Sequence, residues 1–351
     1  MAYTTINKPT LHHSAKLYTG TGSSNSVTGL GFQPDWIWIK DRGNTFSQTW
    51  TDAVRGTSKE LYTNNNSAET SYSQGVTSFD SNGFTLGTDA GVNSNGGNKV
   101  SWNWKGGNGT ASNSNGTITS TVSANTTAGF SIVSYTANGT QGATVGHGLS
   151  SAPEMVITKD RSATGSWGVY HVGQHPTSPE DYYLEMNSTN TANDFTYWND
   201  AKPSNTVVTL GNAAANNTNG RNIIMYCFHT VAGYSKVGAY KGNGESDGTF
   251  IYTGFKPAFV MIKGAISGDG DAAQSWEMYD NKREGFNPTN DALHPNTNSA
   301  EGSSNRVDLY SNGFRAVINS DGVNDDTSTY VYLAFAEAPL VGTNNIPATA
   351  R

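Results

Sequence analysis

Apolar residues along this chain fall in short runs, separated by stretches of Gly, Asn, Ser and Thr. Three of these runs share one form. Pro34-Asp35-Trp36-Ile37-Trp38-Ile39-Lys40, Pro153-Glu154-Met155-Val156-Ile157-Thr158-Lys159 and Pro257-Ala258-Phe259-Val260-Met261-Ile262-Lys263 each place a near-continuous apolar strand between a Pro and a Lys. A strand without polar alternation needs cover on both faces. The Pro stands at the start of the strand, where its missing N–H costs no ladder bond. The motif recurs at intervals of roughly one hundred residues, whereas solenoid repeats run to roughly 20–50. Such a period suits similar domains, each large enough to bury a core.

The flanking patterns repeat as well. Each unit opens on a Tyr-bearing strand and a turn: Leu17-Tyr18-Thr19-Gly20, Ser134-Tyr135-Thr136 and Ala239-Tyr240-Lys241-Gly242. Each closes on an aromatic-rich strand, Val100 to Trp104, Ile224 to Phe228 and Tyr330 to Phe335. Trp50, Trp167 and Trp276 follow the three lysines and read as equivalent positions. Asn82-Gly83 and Asn312-Gly313 are hairpin signals in units 1 and 3; unit 2 has Asp194-Phe195-Thr196-Tyr197-Trp198 instead. The polar stretches Thr63 to Gln74 and Asn281 to Arg306 read as loops. The expected fold is therefore all-β: tandem antiparallel β-sandwich modules of jelly-roll type. The expected boundaries are an N-terminal docking segment (1–16), unit 1 (17–105), a Gly/Asn/Ser/Thr-rich linker (106–128), unit 2 (129–236), unit 3 (237–337) and a C-terminal tail (338–351). Within 106–128, Thr117 to Val122 also reads as a surface strand, since Thr and Val favour sheets.

Composition narrows the function. Lys and Arg number 21 against 28 Asp and Glu, a formal charge of −7, with no basic cluster. Phosphate backbones need a basic face, so no nucleic-acid partner is expected. No apolar run approaches the ~20 residues of a membrane span, so no membrane insertion is expected. The first residues carry no apolar stretch of signal-peptide type. Cys227 lies in an apolar strand and reads as a small buried hydrophobe. Asn-x-Ser/Thr triplets beginning at Asn108, Asn115, Asn125 and Asn138 read as turn chemistry.

Catalytic signals are sparse. Asp269 with Asp271, and Asp321 with Asp325 and Asp326, lie in Gly-rich loops that could offer oxygen ligands to Ca²⁺. They read as solvated turns, and units 1 and 2 lack counterparts. His171 and His175 stand four apart, but Gly173 and Pro176 break the helix a zinc pair would need. No nucleophile elbow or phosphate-binding loop occurs. Aromatics in polar neutral segments are the feature that fits binding, because sugar rings stack on them. Tyr62, Tyr72, Tyr182, Tyr183, Tyr197 and Trp198 are the glycan or interface candidates.

The chain also resembles a family of tailed-bacteriophage virion structural or tail-fibre proteins. The marks are Ala2-Tyr3-Thr4-Thr5-Ile6, Lys16-Leu17-Tyr18-Thr19-Gly20, Gly31-Phe32-Gln33-Pro34-Asp35-Trp36, Asp52-Ala53-Val54-Arg55-Gly56, Thr127-Ala128-Gly129-Phe130-Ser131-Ile132-Val133, Tyr226-Cys227-Phe228-His229 and Tyr332-Leu333-Ala334-Phe335-Ala336-Glu337, with the terminal Pro347-Ala348-Thr349-Ala350-Arg351. The resemblance implies concanavalin-like β-sandwich repeats on the virion exterior, with no catalytic residues and no cofactor. The expected function is a non-enzymatic fibre or appendage that attaches to a host-surface glycan. Its expected partners are other virion proteins and further copies of itself, as a homo-oligomer such as a trimer. The alternative is a capsid decoration protein. A glycan depolymerase would instead show two carboxylates facing one cleft at roughly 5–9.5 Å.

Overall fold

Each apolar run that follows Pro34, Pro153 and Pro257 is a strand, and the three strands have the same neighbours. The computed structural model describes residues 4–268, 274–287 and 289–341. Trp36–Asp41, Met155–Asp160 and Phe255–Ile266 are each flanked by the closing strand of their unit, Asn98–Trp104, Asn222–Phe228 or Thr329–Pro339. On their other side lies Thr49–Asp52, Gly168–His171 or Glu277–Asp280. The opening strands His13–Thr19, Phe130–Thr136 and Ser235–Lys241 pair with the closing strands from outside. All these pairs are antiparallel. A smaller sheet packs on each: Asn25–Thr28 with Gly83–Leu86 and Val76–Asp80 in unit 1, Thr144–Gly146 with Val207–Thr209 in unit 2, and Phe250–Tyr252 with Gly313–Ala316, Gly302–Leu309 and Thr289–Ala292 in unit 3. The protein is an all-β set of antiparallel sandwiches.

The cover predicted for the continuous strands has a definite source on each face. Ile37 and Ile39 point into the core of unit 1, Val156 into that of unit 2, and Val260 and Ile262 into that of unit 3. Their neighbours Trp36, Trp38, Met155, Ile157, Phe259 and Met261 point the other way, into one core common to all three units. Period-2 alternation thus holds, but both faces are apolar. The shared core is aromatic: Trp36 stacks on Trp104 at 4.0 Å, and Trp50 meets Trp167 of unit 2 edge-on at 4.8 Å. The units are therefore not independent beads. Each has a private core and a share in a common one.

Local devices recur too. Tyr18, Tyr135 and Tyr240 donate to the carbonyls of Val92, Asn216 and Val323 at 2.8, 2.9 and 2.7 Å, pinning each opening strand to the segment before the closing strand. The two Asn-Gly hairpins form as the sequence predicts. Their glycines are required by close approach: a Cβ at Gly83 would stand 1.9 Å from the Val27 carbonyl oxygen, and one at Gly313 2.1 Å from that of Ile251.

Four expectations need correction. The 106–128 segment is more than a linker, since Ala111–Asn113 and Ser120–Asn125 extend the large sheet of unit 2 by two strands. Segment 1–16 belongs to the body: Ile6 and Ala15 are buried in the shared core, and His13 to Lys16 lie in the opening strand of unit 1. Trp50 is not the counterpart of Trp167 and Trp276. It pairs with Trp38 as Val169 pairs with Ile157 and Met278 with Met261, which leaves Gln48 as the true equivalent of the two tryptophans. The polar stretches read as loops carry strands Thr70–Ser71, Thr289–Ala292 and Gly302–Leu309. The expected C-terminal tail (338–351) ends in residues outside those described.

Candidate functional site

Buried polar side chains gather in three equivalent seams between units. The side chains of Trp167 and Trp276 donate across a boundary, to the Tyr62 carbonyl of unit 1 at 3.1 Å and to the Glu185 carbonyl of unit 2 at 2.9 Å. Gln48 does the same from unit 1 to the His294 carbonyl of unit 3. The backbone N–H of each donor residue is held by an Asn from its own unit: Asn64, Asn187 and Asn296, at 3.0, 2.9 and 3.1 Å. Farther along, Glu69 N–H donates to the Arg161 carbonyl, Ala192 to Ala265 and Glu301 to Arg42, at 3.0, 2.9 and 2.8 Å. The contacts run head to tail and close a ring.

The repeat-ending lysines belong to the same seams. Lys40, Lys159 and Lys263 send their ammonium groups to the carbonyls of Asn298, Asn66 and Thr189 in the neighbouring unit, at 3.1, 3.4 and 2.7 Å. Burial holds Lys40 and Lys159 down to about 8 and Lys263 to about 7. Ionic locks tie two of the seams. Arg55 pairs with Asp52 and with Glu69 (3.3 Å), and Glu69 also takes Arg161 of unit 2 at 2.8 Å. Arg283 pairs with Asp280 at 2.6 Å and Glu301 at 2.8 Å, and Glu301 takes Arg42 of unit 1 at 2.7 Å. In unit 2 the corresponding positions are His171 and Gln174, with no net charge. His171 is buried and bonds through Nε2 to the Tyr332 carbonyl at 3.1 Å. His175 is elsewhere, stacked on Tyr182 at 4.3 Å, so the two histidines share no ligand.

The six aromatic candidates separate. Trp198 and Tyr197 are buried at 1% and 3% exposure, contrary to the surface placement expected of them. The Tyr197 hydroxyl lies 2.9 Å from Thr158 Oγ1, and its ring packs on Trp198 at 4.7 Å. Tyr72 is 41% exposed and Tyr182 half-buried. Tyr62 is half-buried, donating at 2.9 Å to Glu60, whose carboxyl burial raises to about 7. Tyr183 is half-buried and stacks on Tyr197 at 5.0 Å. Beside it Phe195, which sequence reasoning did not single out, is 44% exposed and meets the Tyr183 ring edge-on at 6.1 Å. Tyr183, Phe195 and Tyr197 line a cleft of about 310 Å³ together with Ser166, Glu185 and Arg221.

Other candidates resolve into structure. Cys227 is buried and burial pushes its thiol well up. The Asp321 and Asp325 groups tie loops, accepting from Gln274 and Ser328. Asp269 and Asp271 lie outside the described residues. Among the described residues no three His, Cys, Asp or Glu side chains gather as metal ligands. Among the described residues no helix is long and apolar enough to cross a membrane.

The model of one protein family, a domain of unknown function (DUF7483), matches residues 8–339. The chain belongs to this family. The match spans all three units, so the triplet as a whole is the unit the family shares. No curated protein matches the chain, and no solved structure does.

Proposed function

We propose that the chain is a non-enzymatic structural protein of a tailed-bacteriophage virion, a fibre or appendage on its exterior that presents sandwich surfaces to a host-surface glycan. The observation that carries this reading is where the three copies agree and where they differ. They agree at the seams, in the Lys clamp, the Asn that holds the donor strand and the cross-boundary side-chain bond. They differ on the next strand of the sheet, where Glu60 and Ala292, both buried, and the half-buried Tyr183 occupy one equivalent position, next to Leu61, Leu184 and Leu293. A body that keeps its joints while other positions vary suits a scaffold for contact surfaces better than a single reaction centre. Its partners would be other virion proteins, further copies of itself and the host envelope. Immunogold labelling of virions, with adhesion of the purified protein to host envelopes, tests the reading. Label on the tail and saturable adhesion support it; label absent from virions, or no adhesion to any susceptible host, overturns it.

A second reading, capsid decoration, is favoured by one observation: three equivalent units close into a ring, a shape suited to a three-fold position on a shell. Hundreds of copies per virion on the head would favour it, and a few per tail the fibre.

A further inference from the structure

We propose that the cleft beside Tyr183 and Phe195 in unit 2 is a binding subsite for a neutral hexopyranose. The proposal rests on the glycan-attachment reading and locates it. The aromatic floor is graded inward from Phe195, exposed, through Tyr183, half-buried, to Tyr197 and Trp198 in the core, so the outer rings are backed by rigid packing. The rim is fixed by two seams. Gly165 N–H donates to the Asn66 carbonyl of unit 1 at 2.8 Å, and the Glu185 carbonyl accepts from Trp276 of unit 3 at 2.9 Å. A site held this way loses little entropy on binding. The polar groups of the cleft are unspent: the Tyr183 hydroxyl, the Ser166 hydroxyl and the Glu185 carboxylate make no hydrogen bond or ion pair with the described residues.

An exposed ring face flanked by unpaired donors and acceptors at the scale of one ring matches a pyranose, which presents a C–H face and a rim of hydroxyls. At about 310 Å³ the cleft lies at the small end of ligand pockets. Charge sets the specificity. Arg221 is already paired with Asp160 at 2.8 Å, so Glu185 leaves the cleft net negative and anionic sugars are disfavoured. Units 1 and 3 place Glu60 and Ala292 where unit 2 has Tyr183, so the subsite belongs to unit 2 alone.

Saturation-transfer NMR on the full chain tests it, using methyl glycosides of glucose, galactose, mannose and N-acetylglucosamine, with methyl glucuronide as the anionic probe. Wild type, Phe195→Ala and Glu185→Gln are compared after matched thermal melts. The expected result is binding of at least one neutral glycoside, weakened about tenfold or more by Phe195→Ala, with glucuronide bound only once Glu185 is neutralised. Equal binding by wild type and Phe195→Ala overturns the subsite and leaves glycan attachment to another surface. Preference of the wild type for glucuronide overturns it, as does no binding of any probe. Envelope adhesion that persists in the last case preserves the attachment reading while refuting this site.

Discussion

His13 occupies in unit 1 the place that Phe130 holds in unit 2 and Ser235 in unit 3, opposite the aromatic end of the closing strand. It lies in the shared core against Phe335 at 5.0 Å and Trp104 at 4.9 Å, and neither ring nitrogen has a hydrogen-bond partner among the described residues. Burial pushes its pKa down to about 3, against a smaller opposing pull from Asp280. His171, buried at a seam, is pushed down to about 4. The unfolded chain takes up protons at both below about pH 6.5, while the folded chain does not. Stability therefore falls as pH drops from about 6.5 toward 4. His13→Phe removes an unsatisfied buried group and restores the residue that unit 2 uses. The variant should be more stable by about 1 kcal/mol or more at neutral pH, and its acid-side slope should be shallower by up to one proton. Urea unfolding between pH 4 and 7 measures both; an unchanged slope would count against a buried neutral His13.

At the scale of elements, the seams carry the load. Lys263→Met strips the donor from the Thr189 and Gln274 carbonyls. The expected cost is about 1–3 kcal/mol for each carbonyl left unsatisfied. Lys59→Met, which loses only the exposed 2.7 Å bond to the Ser71 hydroxyl, should change stability by less than about 0.5 kcal/mol. Because the three clamp lysines titrate lower when folded than when unfolded, stability should climb from about pH 7 toward 10, and less steeply in Lys263→Met. A flat alkaline profile in the wild type would contradict the buried clamps.

The strands and hairpins were legible in the sequence because continuous apolar runs and Asn-Gly turns have few alternative conformations. The seams were not, because their residues are polar and read as loop. A signal was nevertheless present: Asn64-Asn65-Asn66-Ser67-Ala68-Glu69 is nearly repeated in Asn296-Thr297-Asn298-Ser299-Ala300-Glu301, and both segments lie on a seam. Trp50 hid the equivalence of Gln48, since an identical residue two positions away is the easier match. Tyr197 and Trp198 follow no strand period, so pattern alone could not say that they face inward while Phe195 faces out.

At the scale of the molecule, three copies close on a common core and so act as one body. Every tryptophan but Trp198 belongs to that core. Tryptophan fluorescence therefore reports the shared interior, while far-UV circular dichroism reports the sheets of all units. The most direct test is equilibrium urea unfolding of the full chain followed by both probes. The prediction is a single transition with coincident midpoints. Separate transitions, or fluorescence lost well before the sheets, would mean that the units stand independently and that the closed ring does not hold them together.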